Sequence, residues 1–215
     1  MAIPSQAGRT GERLQRGIDA LGLSLPDDVS PRLLAYLQEL EKWNAAYNLT
    51  AIRDPLQMVT RHLLDSLALL PLIGAGPVLD VGSGAGLPGL VLAIARPDLA
   101  VATLDSNGKK ARFMRHAARA LALANVQVVE ARVEDHEVVG GYAQIMSRAF
   151  ASLADFVAGT RHLLAPGGQW VAMKGKLESA EVSALPSGCR IAATHRLQIP
   201  GLHEDRHALI LTEAP

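Results

Sequence analysis

The ten residues Asp80-Val81-Gly82-Ser83-Gly84-Ala85-Gly86-Leu87-Pro88-Gly89 constrain the fold of this chain more than any other segment. Residues 77–81, PVLDV, form an apolar run short enough for a buried strand. Residues 87–95 read as a helix. A strand, a glycine-rich turn and a helix, in that order, open a βαβ unit. Glycines let the backbone turn tightly and approach a ligand, and the helix start presents free N–H groups.

The chain beyond this unit keeps alternating. Strands at 100–105, 126–130, 143–147 (a weak one) and 169–174 are interleaved with helices at about 107–123, 152–164 and 178–185. Runs at 190–198 and 207–212, either side of Pro200-Gly201, read as consecutive strands. The fold class is therefore α/β, with a mostly parallel seven-stranded sheet ending in an antiparallel hairpin at one edge. Before residue 75 the pattern is helical. Leu33, Leu34, Leu37, Leu40 and Trp43 recur at spacings of three and four after Ser30-Pro31. Met58, Val59, Leu63, Leu64, Leu67 and Leu70 mark a further helix, about 56–70, opened by Asp54-Pro55 and ended by Pro71. The expected organisation is a small helical N-terminal region, 1–74, and a Rossmann-like domain, 75–215. Residues 1–12 carry no usable pattern.

Composition narrows the function classes. A chain of 215 residues with 49% apolar and 20% charged residues can fold without disulfides or metals. Its single cysteine, Cys189, excludes a disulfide framework and a multi-cysteine zinc site. Lys plus Arg equals Asp plus Glu, 21 against 21, which excludes polycation-type nucleic-acid binding but not a local basic patch. Aromatics at 4% are too few for a base-stacking sheet of the RNA-recognition-motif kind. No run of 18 apolar residues exists, and the first twenty residues hold no apolar core of a signal peptide. A cytoplasmic protein, acting as a monomer away from membranes, is expected.

Two ligand patterns overlap in the glycine loop. Gly84, Gly86 and Gly89 fit the dinucleotide pattern G-x-G-x-x-G; Gly82, Gly84 and Gly86 behind Asp80 fit the D-x-G-x-G-x-G of S-adenosylmethionine enzymes. Asp80 favours the second, because a carboxylate repels a pyrophosphate and suits the cofactor's ammonium and sulfonium. Asp105 ends the second strand, 21 residues beyond Gly84, where it can accept ribose hydroxyls of either cofactor. The third strand runs into Ala131-Arg132-Val133-Glu134, where a backbone N–H and a carboxylate can read an adenine ring. Ser147-Arg148-Ala149-Phe150 ends the fourth strand on the same rim, and an arginine there suits an anion, a carboxylate or a base edge.

These segments, taken with Trp43-Asn44-x-x-Tyr47-Asn48-Leu49-Thr50, Arg61-His62-x-x-Asp65-Ser66, Leu87-Pro88-Gly89, Leu104-Asp105-Ser106 and Lys174-Gly175, resemble the bacterial small-subunit ribosomal RNA methyltransferase G family, also known as the glucose-inhibited division protein B family. The resemblance covers about residues 30–212. The glycine loop is shared by many methyltransferases; the Trp-Asn, Arg-His and Ser-Arg-Ala-Phe segments are far more specific. The resemblance implies a class I S-adenosylmethionine-dependent methyltransferase fold and methylation of N7 of one guanine in 16S ribosomal RNA. It also implies cofactor contacts at Gly82, Leu87, Val133, Glu134 and Arg148.

Guanine N7 carries a lone pair and no proton, so its methylation needs in-line placement and no general base. The residues agree by omission. The fourth strand lacks the Asp/Asn-Pro-Pro-aromatic motif of amino-group methylation, and Cys189 lies far from that loop. No catalytic acid or base is assigned. For the RNA, seven Lys/Arg against three acids between residues 96 and 132 suggest a phosphate-contact stripe on one helix face. Lys109, Arg112, Arg115, His116 and Arg119 fall at helical spacings, and a plain solvated face accounts for them equally well. Lys174, at the end of the fifth strand, is the better single phosphate candidate. His203-Glu204-x-x-His207 matches the zinc-protease motif, but its setting between Pro200-Gly201 and a β-like run argues against a helix and against a metal. His62 and Asp65 are expected to make structural hydrogen bonds at the junction of the two regions. A nicotinamide-dependent oxidoreductase and a non-catalytic RNA-binding protein on the same fold remain the alternatives.

Overall fold

The computed structural model of the chain describes residues 5–148, 150, 152–176 and 179–214. The N-terminal layer begins with α1, Gln6–Ala20, capped by the Ser5 hydroxyl, which accepts from the Gly8 N–H at 3.2 Å. The sequence pattern does not predict this helix. Its buried stripe is only Thr10, Leu14, Gly17 and Ile18, so two of four inward positions are not large apolar residues. α2 spans Val29–Tyr47 and ends on Asn48 in the left-handed conformation. The helix expected over 56–70 is broken instead. Pro55–Met58 (α3) is α-helical, Val59–Leu64 is π-helical, Asp65–Leu67 (α4) is α-helical again, and Leu70–Leu72 is a 3-10 turn.

The sheet follows: β1 Val78–Val81, α5 Gly89–Ala95, β2 Val101–Leu104, α6 Gly108–Ala120 and β3 Val126–Val129. Next come β4 Tyr142–Ser147, α7 Leu153–Thr160, β5 Leu164–Lys174, α8 Ser179–Ser183, β6 Cys189–Arg196 and β7 His207–Glu213. Spatial order is β3-β2-β1-β4-β5-β7-β6. The first five strands are parallel, and β7 runs antiparallel to both β5 and β6. β4, weak in the sequence because of its polar Gln144, is the centre of the sheet. Gln144 is buried, accepts from the Gly74 N–H at 2.7 Å and donates to the Leu72 carbonyl at 3.1 Å. β5 starts five residues earlier than expected. Pro166-Gly167-Gly168 sits inside it at a register irregularity against β4, which is how a strand tolerates a proline.

One face of the sheet, with Val78, Val101, Met146 and Val171, packs on α5, α6 and the N-terminal helices in a single apolar cluster. α5, GLVLAIA, is buried all round because it lies between the sheet and that helical layer. The other face, with Leu79, Leu104, Ile145 and Trp170, packs on α7, and the Trp170 indole donates to the Thr160 hydroxyl at 2.9 Å. Among the described residues no helix is long and apolar enough to cross a membrane.

Candidate functional site

Strand order reverses between β1 and β4, and in open α/β sheets ligands settle beyond the carboxyl ends of the strands at such a point. The glycine loop occupies that place. Gly82, Gly84 and Gly86 have φ of 68°, 61° and 85°, in the left-handed region, while Gly89 is helical. The backbone therefore demands glycine in the register Gly82-x-Gly84-x-Gly86. Gly89 is small for a different reason: a Cβ there would lie 2.8 Å from Thr103 and 2.9 Å from the Asp80 carboxylate.

The two carboxylates behind the loop divide the work. Asp80 is fully buried; its Oδ2 accepts from the Gly89 N–H at 2.8 Å, and its Oδ1 has no partner. Burial pushes its carboxyl up to about 6, against the Gly89 bond and the charge of Arg148. Asp80 therefore caps α5 from behind the loop and leaves one acceptor orphaned. Asp105 is buried too, and ties the loop to β2: Oδ2 accepts from the Gly84 N–H and Oδ1 from the Asn107 N–H, both at 2.9 Å, with Lys110 at 3.5 Å. Leu87 is buried in the core, and its N–H is bound by the Ser83 carbonyl at 2.9 Å.

Two clefts open on this rim. The first, about 300 Å³, is lined by Gly82, Leu104, Asp105, Val133, Glu134 and Phe150, among others. The expected carboxylates at 105 and 134 and the loop glycine at 82 do meet there. Glu134 is exposed, in a short 3-10 turn Val133–Asp135 just past β3. The second cleft, about 340 Å³, is lined by His62, Asp65, Arg148, Lys174 and Arg206, among others. Arg148 lines one cleft and Phe150, two residues on, the other. Ala149 of the Ser-Arg-Ala-Phe segment lies outside the described residues.

Arg148 is not a free surface arginine. Its guanidinium donates to the Asp65 carboxylate at 3.4 Å and to the Arg61 carbonyl at 3.3 Å, both from the helical layer. The other oxygen of Asp65 accepts from Arg206, just before β7, at 3.2 Å. Burial raises the Asp65 carboxyl, and the two guanidinium groups hold that rise in check. His62 faces the same cleft but bonds Thr50 at 3.0 Å, not Asp65, and its Nδ1 is buried without a partner. Desolvation, then the Arg148 charge, push the His62 ring down to about 4, so it is neutral at physiological pH. Both residues stand on or beside the π-helical segment, a distortion that often marks functional sites.

The basic candidates separate. Lys174 lines the second cleft, but its ammonium pairs with Glu181 at 2.6 Å. Arg115 pairs with Glu130 at 2.7 Å. Lys109 and Arg112 are exposed on α6. His203 and Glu204 lie in the β6–β7 loop and His207 opens β7, so the zinc-protease motif is not on a helix; Glu204 pairs with Arg61. Sequence reasoning missed Arg206 as a cleft residue. It also missed Tyr36, whose hydroxyl donates to the Ala85 carbonyl at 2.7 Å and pins the glycine loop to α2. Its one available signal was a polar-tipped ring within the apolar stripe of α2.

Comparisons with known proteins bear on the family and the fold. A family model described as rRNA small subunit methyltransferase G matches residues 30–210. The ribosomal RNA small subunit methyltransferase G of Methylobacillus flagellatus is 52% identical over 200 residues, 93% of this chain and 97% of that protein. The protein of the same name from Neisseria gonorrhoeae is 50% identical over 203 residues, 94% of this chain and 98% of its own. Among solved structures, TrmN from Thermus thermophilus matches with a TM-score of 0.55 and 22% identity, over 73% of this chain and 53% of its own. The glycopeptide N-methyltransferase MtfA, complexed with S-adenosyl-L-methionine, matches with a TM-score of 0.58 and 13% identity, over 72% and 88%. At those identities the likeness is one of fold, that of class I methyltransferases. The chain belongs to the rRNA small subunit methyltransferase G family.

Proposed function

We propose that this protein methylates N7 of a guanine in 16S ribosomal RNA, using S-adenosylmethionine, as a cytoplasmic monomer acting on RNA of the small ribosomal subunit. The observation that carries the reading is the pair of clefts flanking Arg148 and Phe150, one suited to an adenosine and the other to an acceptor base. The residues fit the cofactor. Asp105 has lone pairs beyond those its backbone partners use, and the exposed Glu134 carboxylate stands across the same cleft. Gly82 and Gly84 allow close backbone approach, and Asp80 keeps an orphaned acceptor behind them. Val133 would flank an adenine ring, and Leu87 would contribute only by holding the loop from the core.

When bound, S-adenosylmethionine supplies an electrophilic methyl group. The chain's task is then to bring a lone pair in line with it and to exclude water. Arg148, fixed by Asp65 and the Arg61 carbonyl, would orient the acceptor base or the cofactor carboxylate. His62 is neutral and does not titrate near pH 7, which suits an acceptor that releases no proton. Lys109 and Arg112 remain available for phosphates. Lys174 and Arg115 would have to exchange their carboxylate partners for phosphate to serve in the same way.

The test is transfer of a radiolabelled methyl group to small ribosomal subunits and to naked 16S RNA, followed by strand scission specific for 7-methylguanine. The expected result is one labelled guanine and a single-turnover rate flat between about pH 6.5 and 9. Label on another base, or a rate that climbs with a pKa near 6.5, would refute the N7 assignment. Tighter binding of NAD than of S-adenosylhomocysteine would favour the oxidoreductase alternative.

A further inference from the structure

The C-terminal end of α2 carries an aromatic pair that the cofactor and acceptor clefts do not use. Trp43 and Tyr47, one helical turn apart, have ring centroids 5.3 Å apart. Trp43 is half-buried against Phe113 at 5.7 Å and His116 at 4.9 Å, both on α6. Tyr47 is 38% exposed. The surrounding charge is positive. Lys109 and Arg112, both exposed, stand four residues before Phe113 and His116 on α6 and so neighbour the two rings that Trp43 touches. Arg53 lies just beyond Tyr47, held by the Asn48 side chain at 2.7 Å. None of these three cations is ion-paired to a described acid. Glu39, on the same helix as the aromatic pair, is bonded to Lys42 at 2.6 Å and to His116 at 2.7 Å. Arg115 belongs elsewhere, on the opposite flank beside β3.

A short segment joins the patch to the second cleft. From Tyr47 the chain runs directly into Asn48–Ile52, where Asn44 binds the Thr50 N–H at 2.9 Å, Thr50 bonds His62, and Ile52 lines the cleft. Five residues of extended chain span at most about 18 Å, so the platform lies within reach of nucleotides flanking the acceptor. Solvent-facing rings bordered by unpaired cations are the chemistry that holds single-stranded nucleic acid, rings for bases and cations for phosphates.

We propose that Trp43 and Tyr47 form a stacking platform for one unpaired RNA base that flanks the methylated nucleotide, with Lys109, Arg112 and Arg53 contacting its phosphates. This rests on the reading of RNA as substrate and names where its single-stranded part docks. Trp43 and the fully buried Trp170 are the only tryptophans, so stacking on the platform is read from Trp43 fluorescence. The probe is a short single-stranded RNA oligonucleotide, compared with an abasic oligonucleotide of equal length. The base-bearing RNA should quench the emission; the abasic strand should bind through its phosphates without quenching. Tyr47→Ala should weaken RNA binding about five- to a hundredfold, while Tyr47→Phe stays within about twofold. Lys109→Ala combined with Arg112→Ala should flatten the salt dependence by a slope of about 1.4. Equal quenching by the abasic strand, or unchanged affinity in Tyr47→Ala, overturns the platform. The abasic arm uses wild-type protein, so its outcome does not depend on any variant folding. Methylation of 16S RNA by wild type without base-dependent quenching overturns the platform alone; absence of methylation overturns the substrate reading instead.

Discussion

Replacing Asp80 by Asn isolates the cost of a buried carboxylate behind the glycine loop. Asp80 has no exposed surface, one oxygen bound to the Gly89 N–H and one oxygen orphaned. Burial raises its carboxyl from an ordinary 3.8 to about 6. The folded chain therefore binds more protons than the unfolded chain between about pH 4 and 6. Stability from this group is fully present below about pH 4 and is lost as pH rises through 6. The whole swing is about 3 kcal/mol, of which about 1.4 kcal/mol falls between pH 5 and pH 8. Asn has no such titration. Its amide nitrogen would take the place of the orphaned oxygen with no acceptor nearby, a pH-independent destabilisation of roughly 1–2 kcal/mol. Urea denaturation of both proteins at pH 5 and pH 8 gives the comparison, because carboxylates common to both cancel in the difference. Wild type should lose about 1.4 kcal/mol relative to the variant on going from pH 5 to pH 8. A difference constant to within about 0.3 kcal/mol, far below that linkage value, would refute the reasoning. Calorimetry in two buffers adds a second readout. A bound ammonium group would pull the carboxyl back down, so S-adenosylhomocysteine should release a fraction of a proton from wild type near pH 6 and none from the variant.

Other perturbations test the scaffold and the rim. In Gly17→Ala the new Cβ would lie 2.3 Å from Leu64 at the contact of α1 with the π-helical segment. Overpacking should outweigh the gain in helix propensity and destabilise the fold by about 1–2 kcal/mol in urea unfolding. Asp65→Ala leaves Arg148 and Arg206 without their shared carboxylate. Because both arginines keep some solvent contact, the loss should be about 2–3 kcal/mol, below the roughly 3–5 kcal/mol of a fully buried pair, and methyl transfer should fall with it. Glu134→Gln alters an exposed side chain that lines the first cleft, the one proposed for the adenosine. Cofactor affinity should drop about three- to tenfold by calorimetry while the urea midpoint stays unchanged.

Legibility followed sequence distance. The glycine loop could be read because its requirement is local: three alternate residues in the left-handed region admit little but glycine. The sheet could be read because apolar strands and helices alternate, although the polar Gln144 disguised its central strand and Pro166 hid the start of β5. α1 was lost because Gly17 and Thr10 fill inward positions that a pattern search expects to be large and apolar. Asp65 was the hardest case. Its partners Arg148 and Arg206 stand 83 and 141 residues away, so no window of sequence contains the network.

That same separation locates what is particular to this enzyme. Asp80, Asp105 and the loop glycines come from the βαβ unit itself, and such a unit serves many methyltransferases alike. Arg148 also projects from the sheet, but what fixes it is Asp65 and the Arg61 carbonyl, from the helices placed before the sheet in sequence. Tyr36 on α2 holds the loop from the same layer, and Thr50 fixes His62 within it. One continuous apolar cluster joins that layer to α5, α6 and the sheet, so its geometry is as rigid as the core. The sheet therefore supplies the loop glycines and carboxylates of the first cleft, and the helical layer sets the shape and charge of the second.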